Sequence, residues 1–83
     1  MHPSDASECE WDDGNQSELA RHGVTPEEVE QVFDNQPTWI PNKRNRAGDW
    51  KMVGATNGGR RLTIIVRVAT DDYRLRAITG WNS

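Results

Sequence analysis

The chain has one cysteine, Cys9, so no internal disulfide can form, and the paired Cys/His spacing that holds zinc is missing. Histidine is almost as scarce, with only His2 and His22, and no metal site or other cofactor is expected. No apolar run approaches the roughly 20 residues that span a bilayer, and no signal-like apolar stretch follows Met1. These absences predict a cytoplasmic protein without membrane contact. Asn15-Gln16-Ser17 fits a glycosylation sequon, which without secretion is a chance match. With 83 residues, 34% of them hydrophobic, the chain makes one domain with a modest core.

The net charge of −3 hides a division. Residues 1–36 carry ten acids and one base, a balance of −9, whereas residues 37–83 carry nine bases and three acids, a balance of +6. Such halves attract each other or meet different partners. The overall acidity argues against non-specific duplex binding but leaves room for a local basic face that holds nucleic acid.

Residues 1–9 read as a short, polar, flexible N-terminus, and residues 10–83 as a single domain. A short helix is expected from Gln16 to His22, closed by Gly23 in the left-handed conformation. "TPEEVEQVF" predicts a second helix, with Thr25 as N-cap, Pro26 in the first turn and Glu28 completing a capping box. Val29, Val32 and Phe33 form its apolar stripe, and Gln36-Pro37 ends it. Thr38–Ile40 suggests a short edge strand, followed by an exposed loop through "PNKRNRAGD". "DWKMVGAT" and "RRLTIIVRV" read as strands joined at Asn57-Gly58-Gly59. The fold expected is α+β, two N-terminal helices packed on an antiparallel meander.

"IIVRVATDDYRLRAI" predicts a further hairpin around Asp71-Asp72, with Val68 opposite Leu75, Arg67 opposite Arg76 and Val66 opposite Ala77. Alternation then puts Arg67, Arg74 and Arg76 on one face. Matching the apolar faces of the preceding hairpin adds Trp50, Met52, Arg61, Thr63 and Ile65 to that side, and sets Lys51, Val53 and Ala55 beside Leu62, Ile64 and Val66. Like charges opposed in a sheet destabilise it, so the cluster calls for an anion. Three sources remain open: acids of the first 36 residues, RNA phosphates with Trp50 as a stacking platform, or an acidic segment of a partner protein.

Histidine side chains ordinarily change charge near neutrality, which makes His22 a candidate proton-transfer group, although a histidine at a helix C-terminus is also favoured by the dipole alone. Trp11 and Trp39 read as core residues, and Cys9 has no neighbour to activate it. RNA cleavage needs no protein nucleophile, because the ribose 2′-OH attacks the adjacent phosphate. The protein has to position it, move protons and stabilise developing charge.

"EWDDGNQSELARHGVTPEEVEQVF" resembles the opening of the BrnT family of type II toxin–antitoxin toxins, through Trp11, Asp12, Arg21, His22, Gly23, Val24, Glu28 and Phe33. "VGATNGGRRLTIIVRVATDDYRLRAIT" resembles its later part, through Gly54, Thr56, Gly59, Arg60, Arg74, Arg76, Ile78 and Thr79. Together they cover roughly residues 10–79. The resemblance implies a RelE-like fold, a metal-independent ribonuclease that arrests translation, and a DNA-binding antitoxin as partner. His22, Arg74 and Arg76 would be catalytic, with Trp50, Arg60, Arg61 and Arg67 contacting RNA; Arg61 and Arg67 rest on the face assignment alone. Asn15, Ala55 and Trp81 depart from the family pattern, and Ser83 falls before its usual basic C-terminal helix. Trp81 is accordingly an expected surface for self-association or antitoxin docking.

Overall fold

The computed structural model describes residues 2–42, 50–69 and 73–83. A single 3-10 turn at Pro3–Asp5 leads into β1 (Glu8–Glu10), then α1 (Asp13–Ala20) and α2 (Pro26–Asp34). The strands β2 (Thr38–Pro41), β3 (Trp50–Ala55), β4 (Arg61–Ala69) and β5 (Arg74–Asn82) follow. One five-stranded sheet runs in the order β1-β5-β4-β3-β2. The protein is therefore α+β with a mixed sheet. Strands β2 to β5 pair antiparallel in succession, as a meander should, but β1 joins the outer edge of β5 in parallel. A parallel partner distant in sequence leaves no local turn signal, which is why residues 8–10 did not read as a strand.

Both helices begin with reciprocal caps. Thr25 accepts from the Glu28 N–H while Glu28 accepts from the Thr25 N–H, and Pro26 opens the first turn as expected. At α1 the same exchange links Asp12 and Asn15, so this helix starts three residues before Gln16. Asn in place of the usual Glu or Gln concealed that cap. Gly23 has φ +72°, closing the α1 end as anticipated. The second helix stops at Asp34, with Gln36 left-handed before Pro37.

Leu19, Val24, Val29 and Val32 share one core with Met52, Leu62, Ile64, Val66, Leu75 and Ala77. Two glycines permit the close approach. A Cβ on Gly54 would lie 3.2 Å from Val32 Cγ1 and from Pro37 Cβ; one on Gly80 would lie 2.5 Å from Ile64 Cδ1 and 3.3 Å from Leu19 Cδ2. The α2 helix thus packs over β3, and α1 over β5.

The β4–β5 register is Val66↔Ala77, Arg67↔Arg76 and Val68↔Leu75, as the alternation indicated, with a bulge farther along between Ile65 and Val66. The turn expected at Asp71-Asp72 and most of the exposed loop expected after Ile40 fall on residues 70–72 and 43–49, which lie outside the described residues. The β3–β4 register corrects the expected one. Trp50, Met52 and Gly54 face Val66, Ile64 and Leu62, so they share the helix-side face; Lys51, Val53 and Ala55 lie on the other with Ile65, Thr63 and Arg61. The cause is the connection. The Thr56 N–H donates to the Arg60 carbonyl across Asn57-Gly58-Gly59, with Gly59 at φ +89°, and an odd-length loop inverts the parity assumed from matching aliphatic faces.

Candidate functional site

The face opposite the α2 core carries Arg61, Arg67, Arg74 and Arg76, and the charge of Arg74 and Arg76 is met from the N-terminal segment. Parallel pairing sets Glu8 beside Arg74 and Glu10 beside Arg76. Arg74 Nε lies 3.0 Å from Glu8 Oε1, and Arg76 Nη1 donates to Glu10 Oε1 at 3.0 Å. The α1 cap adds a third carboxylate: the two terminal nitrogens of Arg76 donate to the two oxygens of Asp12 at 2.6 and 3.1 Å. This fork-to-fork geometry is the strong form of a guanidinium–carboxylate pair. The Arg76 hydrogen bonds, then that from the Asn15 N–H, hold the Asp12 carboxyl down at about 2. Asp12 in turn raises the pKa of Arg76.

Arg60 is engaged on the helix side. Its Nη1 donates to both Glu28 oxygens at 2.8 and 3.0 Å and to the Gly23 carbonyl at 2.9 Å, while Nε donates to Asn82 Oδ1 at 2.6 Å. Burial pushes the Glu28 carboxyl up, but the bonds from Arg60 and Thr25 outweigh it and leave it below its ordinary value. Arg60 therefore ties the start of α2 to the end of β5.

His22 belongs to a separate cluster built on Glu18. His22 Nε2 stands 3.3 Å from Glu18 Oε2, which also accepts from Thr79 Oγ1 at 3.0 Å; Arg21 donates to Oε1 at 3.0 Å. The Thr79 bond is the main cause of the lowered Glu18 pKa. Asp12 caps the start of α1, whereas Glu18 lies in its last turn. His22 and Arg76 are thus not gathered on one anchoring group.

Trp50, on the helix side, has its ring centroid 5.0 Å from that of His2, and Trp39 packs edge-on to His2 at 6.1 Å and to Phe33 at 6.2 Å. It offers no stacking platform to the arginine face. Arg61 and Arg67 do lie exposed on that face. An open cavity of about 430 Å³ between the N-terminal turn and the end of α2 is lined by residues including Phe33, Pro37 and Trp39, away from the arginines. Nearby, burial and then Glu30, Asp34 and Glu8 push the Cys9 thiol up to about 12, so it is inert at neutral pH. Among the described residues, no three His, Cys, Asp or Glu side chains are grouped to hold a metal ion, and no helix is long and apolar enough to cross a membrane.

Glu8, Glu10, Asp12, Glu18 and Thr79 are the partners sequence reasoning did not assign. One signal was present: Glu8 and Glu10 repeat the two-residue spacing of Arg74 and Arg76.

No protein-family model, curated protein or solved structure matches the chain. The resemblance to BrnT toxins rests on the motif residues themselves.

Proposed function

We propose that the chain is a cytoplasmic, BrnT-like toxin of RelE-like fold, directed at RNA and neutralised by a small DNA-binding antitoxin. The observation that carries this reading is how the two motif segments meet. Asp12 takes Arg76, Glu28 takes Arg60, and Thr79 reaches the carboxylate that holds His22. Motif residues more than 30 and up to 64 positions apart are thus direct partners or share one. On this reading Arg76, with Arg74 beside it, stabilises charge on the phosphate during attack by the 2′-OH, and His22, anchored separately on Glu18, is the group assigned to the proton and has to be brought to it by the bound RNA. Arg61 and Arg67 add charge at two separate places on β4, with Thr63 and the fully buried Ile65 between them on the same face.

The test is inducible expression with and without the neighbouring gene's product, scored as growth arrest, together with RNA cleavage by purified protein in EDTA. Cleavage should leave cyclic or 3′-phosphate ends, and Arg76→Ala should slow it by roughly two orders of magnitude or more. Strict metal dependence, or an unchanged rate in that variant, refutes the mechanism.

A second reading is a non-catalytic module that docks an acidic protein segment on the same face. It is favoured by the occupancy of Arg74 and Arg76 by carboxylates and by the separate anchoring of His22. Full-strength binding of an antitoxin with no RNA cleavage under any condition would select it.

A further inference from the structure

The strand that neutralises Arg74 and Arg76 is the shortest of the sheet. β1 has three residues and one neighbouring strand, and it forms an edge. Such a strand has few backbone bonds to lose; against that, Cys9 and the preceding Ala6 pack on the core and Asn15 Nδ2 donates to the Glu10 carbonyl at 2.9 Å, contacts that displacement has to give up. Beyond its pairing with β5, the adjoining Ser7 N–H donates to the Tyr73 carbonyl at 2.8 Å. The Glu8 side chain is 62% exposed even while it holds Arg74.

The geometry of the mask is specific. Because β1 runs parallel to β5, Glu8 and Glu10 advance in step with Arg74 and Arg76. Alternate residues on a strand lie roughly 6.6 Å apart, close to the spacing of successive phosphates in an extended single strand. Each carboxylate carries one negative charge, as does each phosphodiester. Exchanging strand for oligonucleotide therefore leaves the charge on the arginine face unchanged. An additional anion would instead have to approach an already neutralised pair on an acidic protein.

We propose that β1 is an internal phosphate mimic: Glu8 and Glu10 occupy on Arg74 and Arg76 the positions of two consecutive phosphates of single-stranded RNA, which binds when the strand is displaced. Asp12 is not displaced with it. As the α1 cap it stays on Arg76 and keeps the guanidinium oriented toward the vacated position. The inference rests on the RNA reading above and adds the register and the gate to it.

The experiment uses the full chain and two probes, a fluorescein-labelled octauridylate followed by anisotropy and inorganic tripolyphosphate followed by calorimetry. Glu8→Gln with Glu10→Gln preserves the side-chain size and the backbone pairing while removing the competing charge. It should bind both probes about tenfold more tightly than wild type, a change of about 1.4 kcal/mol. Glu8→Gln alone should give a smaller gain in the same direction, and its exposed position makes it safe for folding. The control is Glu27→Gln with Asp34→Asn, which removes the same charge from exposed positions outside the arginine face and should gain less than about twofold. Equal gains in the double variant and the control would overturn the mimic, as would no gain for either probe. A gain for tripolyphosphate with none for octauridylate would uphold the masked phosphate site and overturn RNA as its ligand.

Discussion

On β5, Leu75 and Ala77 are buried in the core, whereas Arg74 and Arg76, each one residue away, lie partly exposed on the opposite face. The two faces of the sheet are held by different physics. The helix side is closed by side chains from α1 and α2, with Leu19, Val29, Val32, Met52, Ile64 and Val66 fully buried, so its stability comes from removed apolar surface and close packing. The arginine side is held by ion pairs that remain partly wet, and such pairs contribute little to stability. It follows that changes on the first face, and at the fully buried Ile65 on the second, decide whether the protein folds, whereas changes at the charged positions of the second decide what it binds.

The comparison breaks most sharply at Ile64, which touches both the sheet core and the α1 side. Ile64→Ala should cost about 2–5 kcal/mol, a large part of what a domain of this size has, and urea denaturation should show it as a lower midpoint. An equally large loss from an arginine-face variant would erase the distinction. Next is Gly80→Ala. The new methyl would sit 2.5 Å from Ile64 Cδ1 and 3.1 Å from the Thr63 carbonyl oxygen. Only the first can rotate away, so overpacking of about 1–3 kcal/mol is expected in the same assay.

On the arginine side, pH sharpens the contrast. The Asp12 carboxyl is held at about 2, against an ordinary 3.8. Its contribution is therefore fully present above the ordinary value and is lost as pH falls through the folded value of about 2. Arg76→Gln should return Asp12 toward its ordinary value, seen in an NMR titration of the carboxyl, and should flatten this component of the acid dependence of stability. An unmoved Asp12 would mean that the Arg76 fork is not what holds it. The smallest effect is expected from Arg61→Gln. Arg61 is exposed at the start of β4, and denaturation should place the change within about 0.5 kcal/mol, while octauridylate binding falls if Arg61 contacts the RNA.

The strand β1 shows both regimes at once. Cys9 faces the core between two glutamates that face the arginines, which is why its thiol is pushed up while its neighbours stay paired. Iodoacetamide at pH 8 should therefore modify Cys9 in the folded protein at least about 100-fold more slowly than in urea.

Local chemistry was legible from the residues in order. The capping box at Thr25 and Glu28, the left-handed Gly23, the Val29/Val32 stripe and the Arg67↔Arg76 register are each fixed by neighbours a few positions apart, where backbone preference and side-chain alternation act directly. The cluster of arginines on one face followed from the same alternation. Tertiary structure decided the rest. The side taken by Trp50 and Met52 turned on a three-residue loop with Gly59 left-handed, and one residue of parity moves a whole strand between faces. The anion that the arginines called for came from Glu8, Glu10 and Asp12, more than 60 residues away in sequence, through a parallel edge strand that no turn announces. Sequence spacing fixes what a residue can reach along its own element; which element lies beside it depends on burying Leu19, Val29 and Val32 against a single sheet face, and that is settled only when the whole chain packs.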